Sequence, residues 1–120
     1  MQKTERLMGA LGMCRKAGKL TMGFDAAVES VMKGKSYLVL LTSDLSPRTE
    51  RRAREACEGL VPCLSMPLSQ TDLLGVAPKP TGVFSVLDEN FAKLCEKHLD
   101  YKEEYIECRL PIKSTMWRKI

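Results

Sequence analysis

The stretch from Ala17 to Asp44 constrains the fold of this chain more than any other segment. It opens with a glycine turn, continues with apolar residues at helical spacing and ends in an uninterrupted apolar run at 37–41. A continuous apolar run of strand length is typical of a strand that is covered on both faces. A turn, an amphipathic helix and a buried strand in so short a span predict an α/β layer structure. The apolar face of the helix consists of Phe24, Ala27, Val28, Val31 and Met32.

Length and periodicity predict one domain. The chain has 120 residues, which suffices for a single hydrophobic core. The predicted domain spans residues 1–99, because the periodicity fades after Asp100. Residues 100–120 form a C-terminal extension that reads equally as an added strand, a partner-binding tail or disorder. The chain contains no apolar run of about 20 residues and no signal-peptide pattern, so we expect a cytoplasmic protein without a membrane partner.

The pattern predicts helices and strands in alternation along the whole domain. The predicted core includes Met13 on the first helix, Met32 on the second and Leu60 on the third. The predicted helices cover residues 3–17, 24–33, 47–59, 69–74 and 88–99, and the predicted strands cover 19–22, 37–41, 61–66 and 82–87. Ser46 is the predicted N-cap of the third helix, and Ser69 with Asp72 forms an approximate capping box at the fourth.

The start of the second helix is open to two interpretations. Gly23 precedes the helix, and the first amides of a helix lack partners within it. These amides can bind an anion or a phosphate group. Alternatively, the side chain of Asp25 caps them.

The charge of the chain is concentrated in its first half. The net charge is +4, and residues 1–60 contain 11 basic against 7 acidic residues, whereas residues 61–120 contain 8 of each. Such an excess fits a polyanion such as RNA, and it fits an ordinary solvated surface equally well.

Four arginines on the third helix resemble an RNA-binding run. Arg51 and Arg54 each have a glutamate four residues later, so a solvated, ion-paired helix face is the better interpretation for them. Arg48 and Arg52 have no such partner and are candidates for phosphate contact.

The thiols and the single histidine give little sign of chemistry. The five cysteines include no CxxC pair, and Cys14 and Cys57 read as small buried hydrophobic residues. Cys95 and His98 are a local thiol–base combination, but no third group orients them, and His98 lies along an apolar stripe. We therefore predict no enzyme activity, no metal site and no cofactor.

Several motifs together resemble the ribosomal protein family that binds kink-turn RNA, the group named L-seven-Ae, L-thirty-e and S-twelve-e, in its bacterial branch. The similarity covers about residues 5 to 97. The motif residues are Leu11, Gly12, Arg15, Ala17, Gly18, Lys19, Leu20 and Gly23. Further matches are Gly34-Lys35, Asp44, Leu74-Gly75, Val86-Leu87-Asp88 and Phe91-Ala92.

The resemblance implies a three-layer α/β/α sandwich with a small four-stranded mixed sheet. It also implies a non-catalytic RNA-binding protein, with structured RNA and the ribosome as expected partners. Family members place the start of the second helix against sheared G·A pairs, and the loop before the last strand against a flipped-out nucleotide. With nearby cations included, the candidate RNA-binding residues are Lys16, Lys19, Gly23, Phe24, Asp25, Ala26, Glu29, Lys33, Arg48, Leu74, Gly75, Val76 and Lys79.

The second helix departs from the family pattern. Asp25, Ala26 and Glu29 occupy positions where family members have asparagine, glutamate and lysine. An anion in place of a lysine opposes the largest contribution to nucleic-acid affinity. The alternative function is therefore a protein–protein adaptor on the same scaffold, with the C-terminal extension as its docking element.

Overall fold

Four helices flank one mixed sheet in the computed structural model, which describes residues 3–99. The order along the chain is helix, strand, helix, strand, helix, strand, strand, helix. The helices are α1 (Lys3–Lys16), α2 (Phe24–Met32), α3 (Pro47–Cys57) and α4 (Glu89–Leu99), and the strands are β1 (Leu20–Met22), β2 (Leu38–Leu41), β3 (Cys63–Ser65) and β4 (Val83–Val86).

The sheet has the strand order β1-β4-β2-β3. β4 runs antiparallel to both β1 and β2, whereas β3 pairs parallel to β2 at the edge of the sheet. The sheet is therefore mixed, and the two strands at its centre are β4 and β2.

The central strand β2 is buried on both faces. Leu38 and Leu40 pack into the core formed with α1 and α4, and Val39 and Leu41 pack into a second core formed with α2 and α3. The uninterrupted apolar run is thus explained by helices on each side of the sheet. The predicted three-layer α/β/α fold is confirmed.

Three predicted core residues are exposed instead. Met13, Met32 and Leu60 expose 53%, 70% and 61% of their surface. Met13 lies outside the buried stripe of α1, which runs through Leu7, Ala10, Leu11 and Cys14 at the spacing i, i+3, i+4 and i+7. Leu60 follows Gly59, whose φ of 76° turns the chain after α3.

Ser30 of α2 is buried, whereas the apolar periodicity predicted that Met32 would be buried. The hydroxyl of Ser30 lies 2.7 Å from that of Ser85 on β4, and Ser85 donates to Ser36 at 2.7 Å. Ser30 also donates to the carbonyl of Ala27 at 2.6 Å. These hydroxyls partner one another inside the protein, so α2 turns Ser30 inward while Met32 faces solvent.

The predicted helix at residues 69–74 is a series of turns. The amides of Leu73 and Leu74 donate to carbonyls three residues earlier, at 3.2 Å each. The predicted capping box is present, since the Ser69 amide donates to the Asp72 carboxylate at 2.9 Å and the Asp72 amide to the Ser69 hydroxyl at 3.1 Å. So short a segment gains too few hydrogen bonds to propagate a regular helix.

The C-terminal extension predicted at residues 100–120 lies outside the described residues, and the three roles considered for it stay predictions. Among residues 3–99, no helix combines the length and the apolar character needed to cross a membrane.

The serine cluster predicts a measurable dependence of stability on Ser85. We expect Ser85→Ala to lower the free energy of unfolding in urea by about 1–3 kcal/mol, because it removes the common partner of two buried hydroxyls. Ser43→Ala, at an exposed position, should change it by less than about 0.5 kcal/mol. Equal losses in both variants would contradict a specific role for the cluster.

Candidate functional site

The sheet brings three chain segments together at one of its ends. Met22, the last residue of β1, pairs with Phe84, and Leu41, the last residue of β2, pairs with Val83. β4 begins where β1 and β2 finish, so the starts of α2 and α3 and the loop before β4 share this end. Two backbone hydrogen bonds join the segments, from Gly23 to Val83 at 2.8 Å and from Thr42 to Gly82 at 3.0 Å.

α2 begins without a side-chain cap. Gly23 is its N-cap residue, with φ 105° and ψ 152°, and no side chain accepts a hydrogen bond from the first turn. The interpretation of Asp25 as the cap is therefore wrong. The backbone of Gly23 turns the chain directly from β1 into the helix, which leaves the positive end of the helix dipole for another partner.

An arginine of α3 covers the first side chain of α2. The guanidinium carbon of Arg52 lies 4.7 Å from the centre of the Phe24 ring, a cation–π distance. Arg48 is exposed one turn earlier on α3. The two arginines that sequence analysis selected as phosphate candidates thus belong to the helix that packs beside α2.

Arg54 forms its ion pair with a different glutamate from the one predicted. Its guanidinium pairs with Glu50 at 3.1 Å, one turn earlier, instead of Glu58 one turn later. It also donates to the carbonyl of Cys63 and to the hydroxyl of Ser65, each at 2.8 Å. The guanidinium is exposed and ion-paired, as predicted for Arg54, and it also fastens α3 to the edge strand β3.

The outer face of α2 carries an ion pair. The ammonium of Lys33 lies 2.8 Å from the Glu29 carboxylate, four residues earlier, and both side chains are exposed. The hydrogen bond from Lys33 lowers the pKa of Glu29. Lys33 is therefore occupied with Glu29, and this part of α2 presents a nearly neutral pair beside the exposed Asp25 and Ala26.

Of the four candidate residues in the loop before β4, one is buried and three are exposed. Leu74 exposes 46% of its surface, and Gly75 and Lys79 are also exposed. Val76 is buried in the core beneath α1 and α4, and its carbonyl accepts a hydrogen bond from Arg15. Val76 therefore anchors the loop, and Leu74, Gly75 and Lys79 are the members that can reach a partner.

Lys16 and Lys19 lie at the other end of β1. Lys19 precedes the strand, and its carbonyl accepts from the amide of Leu87, beyond the last residue of β4. The three residues of β1 lie between Lys19 and Gly23, which places the two about 13 Å apart along the strand. These two exposed lysines border the site and do not belong to the cluster around Phe24.

The thiol–base combination on α4 lacks a reactive thiol. Cys95 is fully buried, and burial raises the pKa of its thiol to about 12. Cys14, in the same core, has its pKa raised to about 11, also mainly by burial. Both thiols are protonated at neutral pH, so Cys95 does not supply the nucleophile considered for it.

The chain is 27% identical over 90 residues to the RNA-binding protein YlxQ of Enterococcus faecium, a match that spans 74% of this chain and 86% of that protein. No family model matches the chain.

Two solved structures share the fold. A protein of unknown function from Bacillus halodurans superposes with a TM-score of 0.73 and 23% identity, over 79% of this chain and 97% of its own. The 15.5kD RNA-binding protein of Giardia lamblia superposes with a TM-score of 0.67 and 20% identity, over 81% of this chain and 84% of that protein's chain. The α/β architecture with four helices and a four-stranded mixed sheet is thus one that known proteins adopt.

The backbone at the start of α2 predicts opposite effects of two glycine substitutions. A methyl group at Gly23 or at Gly12 would meet no atom within 4 Å, so only backbone conformation distinguishes the two sites. We expect Gly23→Ala to lower the free energy of unfolding by about 1–3 kcal/mol, since its positive φ is strained for alanine. Gly12→Ala, inside α1, should raise it by about 0.5–1 kcal/mol. Urea unfolding measures both, and stabilisation by Gly23→Ala would contradict the assignment of Gly23 as a required glycine.

Proposed function

We propose that this protein binds structured RNA and does not catalyse a reaction. The observation that carries the proposal is the side-by-side arrangement of the uncapped start of α2 and the arginines of α3. The proposed contacts are Gly23, Phe24, Arg48 and Arg52, with the exposed part of the loop before β4 and the bordering Lys16 and Lys19.

The names of two similar proteins support this proposal. The Enterococcus faecium relative and the Giardia lamblia structural neighbour are both called RNA-binding proteins. The sequence match extends over most of the described domain of this chain. The resemblance to the kink-turn family, read from separate motifs, points in the same direction.

The physical chemistry of the site suits a folded RNA backbone. The first amides of α2 can donate to a phosphate oxygen, and the helix dipole favours the negative charge. Arg48 and Arg52 supply positive charges for neighbouring phosphates. The exposed Leu74 gives the loop an apolar surface for an unstacked base.

We further propose that recognition depends on the bent shape of a kink-turn, with weaker electrostatic support from α2 than family members have. Asp25 and Glu29 place two carboxylates near the proposed phosphate path. The bond from Lys33 offsets the charge of Glu29 in part. The arginines of α3 would then carry the phosphate contacts that a lysine of α2 makes elsewhere in the family.

This proposal predicts a preference for kink-turn RNA over a straight duplex of equal length. In a salt titration of binding, we expect the wild-type protein to favour the kink-turn. Glu29→Lys should raise the affinity for the kink-turn about tenfold and make its salt dependence steeper by about one unit, because it exchanges an anion for a cation beside the phosphates.

Two results would contradict the proposal in different ways. Equal binding of both RNAs would remove the kink-turn preference and leave general RNA affinity. Failure of the wild type to bind either RNA would reject RNA binding. If Glu29→Lys then bound the kink-turn RNA, the scaffold would have kept its shape and lost its ligand. The function as a protein–protein adaptor would then replace RNA binding as the proposed function.

A second prediction concerns the neighbouring arginines of α3. We expect Arg52→Gln to weaken kink-turn binding about tenfold and to lower the salt slope by about one unit. Arg51→Gln removes the same charge from the preceding residue, which lines the groove between α3 and β3, and should leave binding within about twofold.

Stability controls separate a lost contact from a disturbed fold. Arg52 packs on Phe24, so its loss should reduce the free energy of unfolding by about 0.5–1 kcal/mol, too little to unfold the protein. Arg52→Lys keeps the charge and should recover most of the salt slope. If Arg51→Gln and Arg52→Gln weakened binding equally, the assignment of the contact to the Phe24 side of α3 would be wrong.

A further inference from the structure

Positive charge is concentrated at the C-terminal end of the chain. Residues 3–99 contain 14 basic and 11 acidic residues, residues 100–108 contain 1 and 4, and residues 109–120 contain 4 and none. The last twelve residues therefore carry as much positive charge as the whole chain, whose net charge is +4. Terminal segments of one charge sign are often interaction tails, and basic ones bind nucleic acid. The four cations are Arg109, Lys113, Arg118 and Lys119.

The same segment contains the only tryptophan of the chain. Trp117 is followed directly by two of the four cations, and a third lies four residues before it. An aromatic ring stacks on any nucleic-acid base, and cations beside the ring bind the flanking phosphates. This combination suits the unpaired nucleotides of a folded RNA, because the bases of a regular duplex are stacked on one another.

The second helix weakens the electrostatics of the proposed RNA site. Asp25 and Glu29 are exposed anions of α2. The ammonium of Lys33 lies 2.8 Å from the Glu29 carboxylate, so this cation is engaged within the helix. Since neutralisation of phosphates supplies much of the affinity for nucleic acid, cations from another part of the chain would strengthen binding at this site.

The last helix leads the chain toward the end of the sheet that carries the site. The amide of Leu87, just before α4, donates to the carbonyl of Lys19, so α4 begins at the opposite end from Gly23. Leu99, its last residue, still packs on the core shared with α1. A helix that starts at one end of a sheet and packs over its face runs toward the other end.

The length of the remaining chain is sufficient to reach the site. The 21 residues after Leu99 lie outside the described part of the chain. Twenty-one residues span at most about 70 Å. This length is several times the radius of gyration of about 13 Å that is typical of a 100-residue domain. Residues 109–120 can therefore contact an RNA that is bound at the start of α2.

We propose that residues 109–120 are a second RNA-contacting segment, in which the four cations bind phosphates and Trp117 stacks on an unpaired base. The inference rests on the proposed RNA binding of the domain and adds the C-terminal segment to the same interface. The positive charge that α2 lacks is then supplied from the end of the sequence.

The intrinsic fluorescence of Trp117 tests the contact directly, because no other tryptophan contributes emission. The full chain is titrated with a kink-turn RNA, and binding is followed in parallel by the anisotropy of a dye on the RNA. We expect the RNA to quench the emission of Trp117 with the same midpoint as the change in anisotropy. Free tryptophan titrated with the same RNA corrects for the light that the RNA absorbs.

A matched pair of charge variants measures the phosphate contacts. Arg118→Gln combined with Lys119→Gln should lower the slope of log affinity against log salt by about one to two units. Lys93→Gln combined with Lys97→Gln removes two exposed cations from α4, one of them paired with Glu89, and should leave the slope unchanged.

Two substitutions of the tryptophan measure the stacking. Trp117→Ala should weaken binding of the kink-turn RNA about tenfold. Trp117→Phe keeps an aromatic face and should retain most of the affinity. Saturable quenching in the wild-type protein supports the inference even if a variant folds poorly.

The outcomes separate this inference from the proposed function. Binding of the kink-turn RNA with unchanged Trp117 emission, or with equal salt slopes for the two charge variants, would overturn the role of the segment and leave RNA binding by the domain in place. Failure of the wild type to bind RNA would reject both. A response of Trp117 to vesicles of anionic phospholipid, and not to RNA, would assign the segment to a membrane surface and overturn the inference.

Discussion

Burial of β2 on both faces is the constraint from which the rest of the structure follows. Leu38 and Leu40 require an apolar layer on one side of the sheet, and Val39 and Leu41 require one on the other. Two pairs of helices meet this requirement, α1 with α4 and α2 with α3. A sheet of such short strands could not bury both faces with fewer layers.

The layer arrangement also places the candidate site. Because β4 lies between β1 and β2 and runs antiparallel to both, the starts of α2 and α3 emerge at the same end of the sheet. The two helices pack against each other there, with Arg52 on the ring of Phe24. A helix start that no side chain caps is thereby set next to exposed cations, although the residues involved are far apart in sequence.

The two sides of the third helix have different surroundings. On the side toward α2 it offers Arg52, which contributes to the proposed RNA site. On the side toward β3 it carries Arg54, which fastens the edge strand. Neighbouring residues of one helix therefore belong to different environments, because successive side chains point about 100° apart.

The sequence by itself determined the order and type of nearly every element, the double-sided burial of β2 and the caps at Ser46 and Ser69, since periodicity and capping are local properties. Tertiary structure alone decided which polar groups found partners. Ser30 became buried because Ser85 of β4 contacts it, and Arg54 turned to β3 because carbonyl and hydroxyl acceptors lie there. It also decided that Asp25 would not cap α2. Such choices depend on atoms from distant parts of the chain, which no local pattern records.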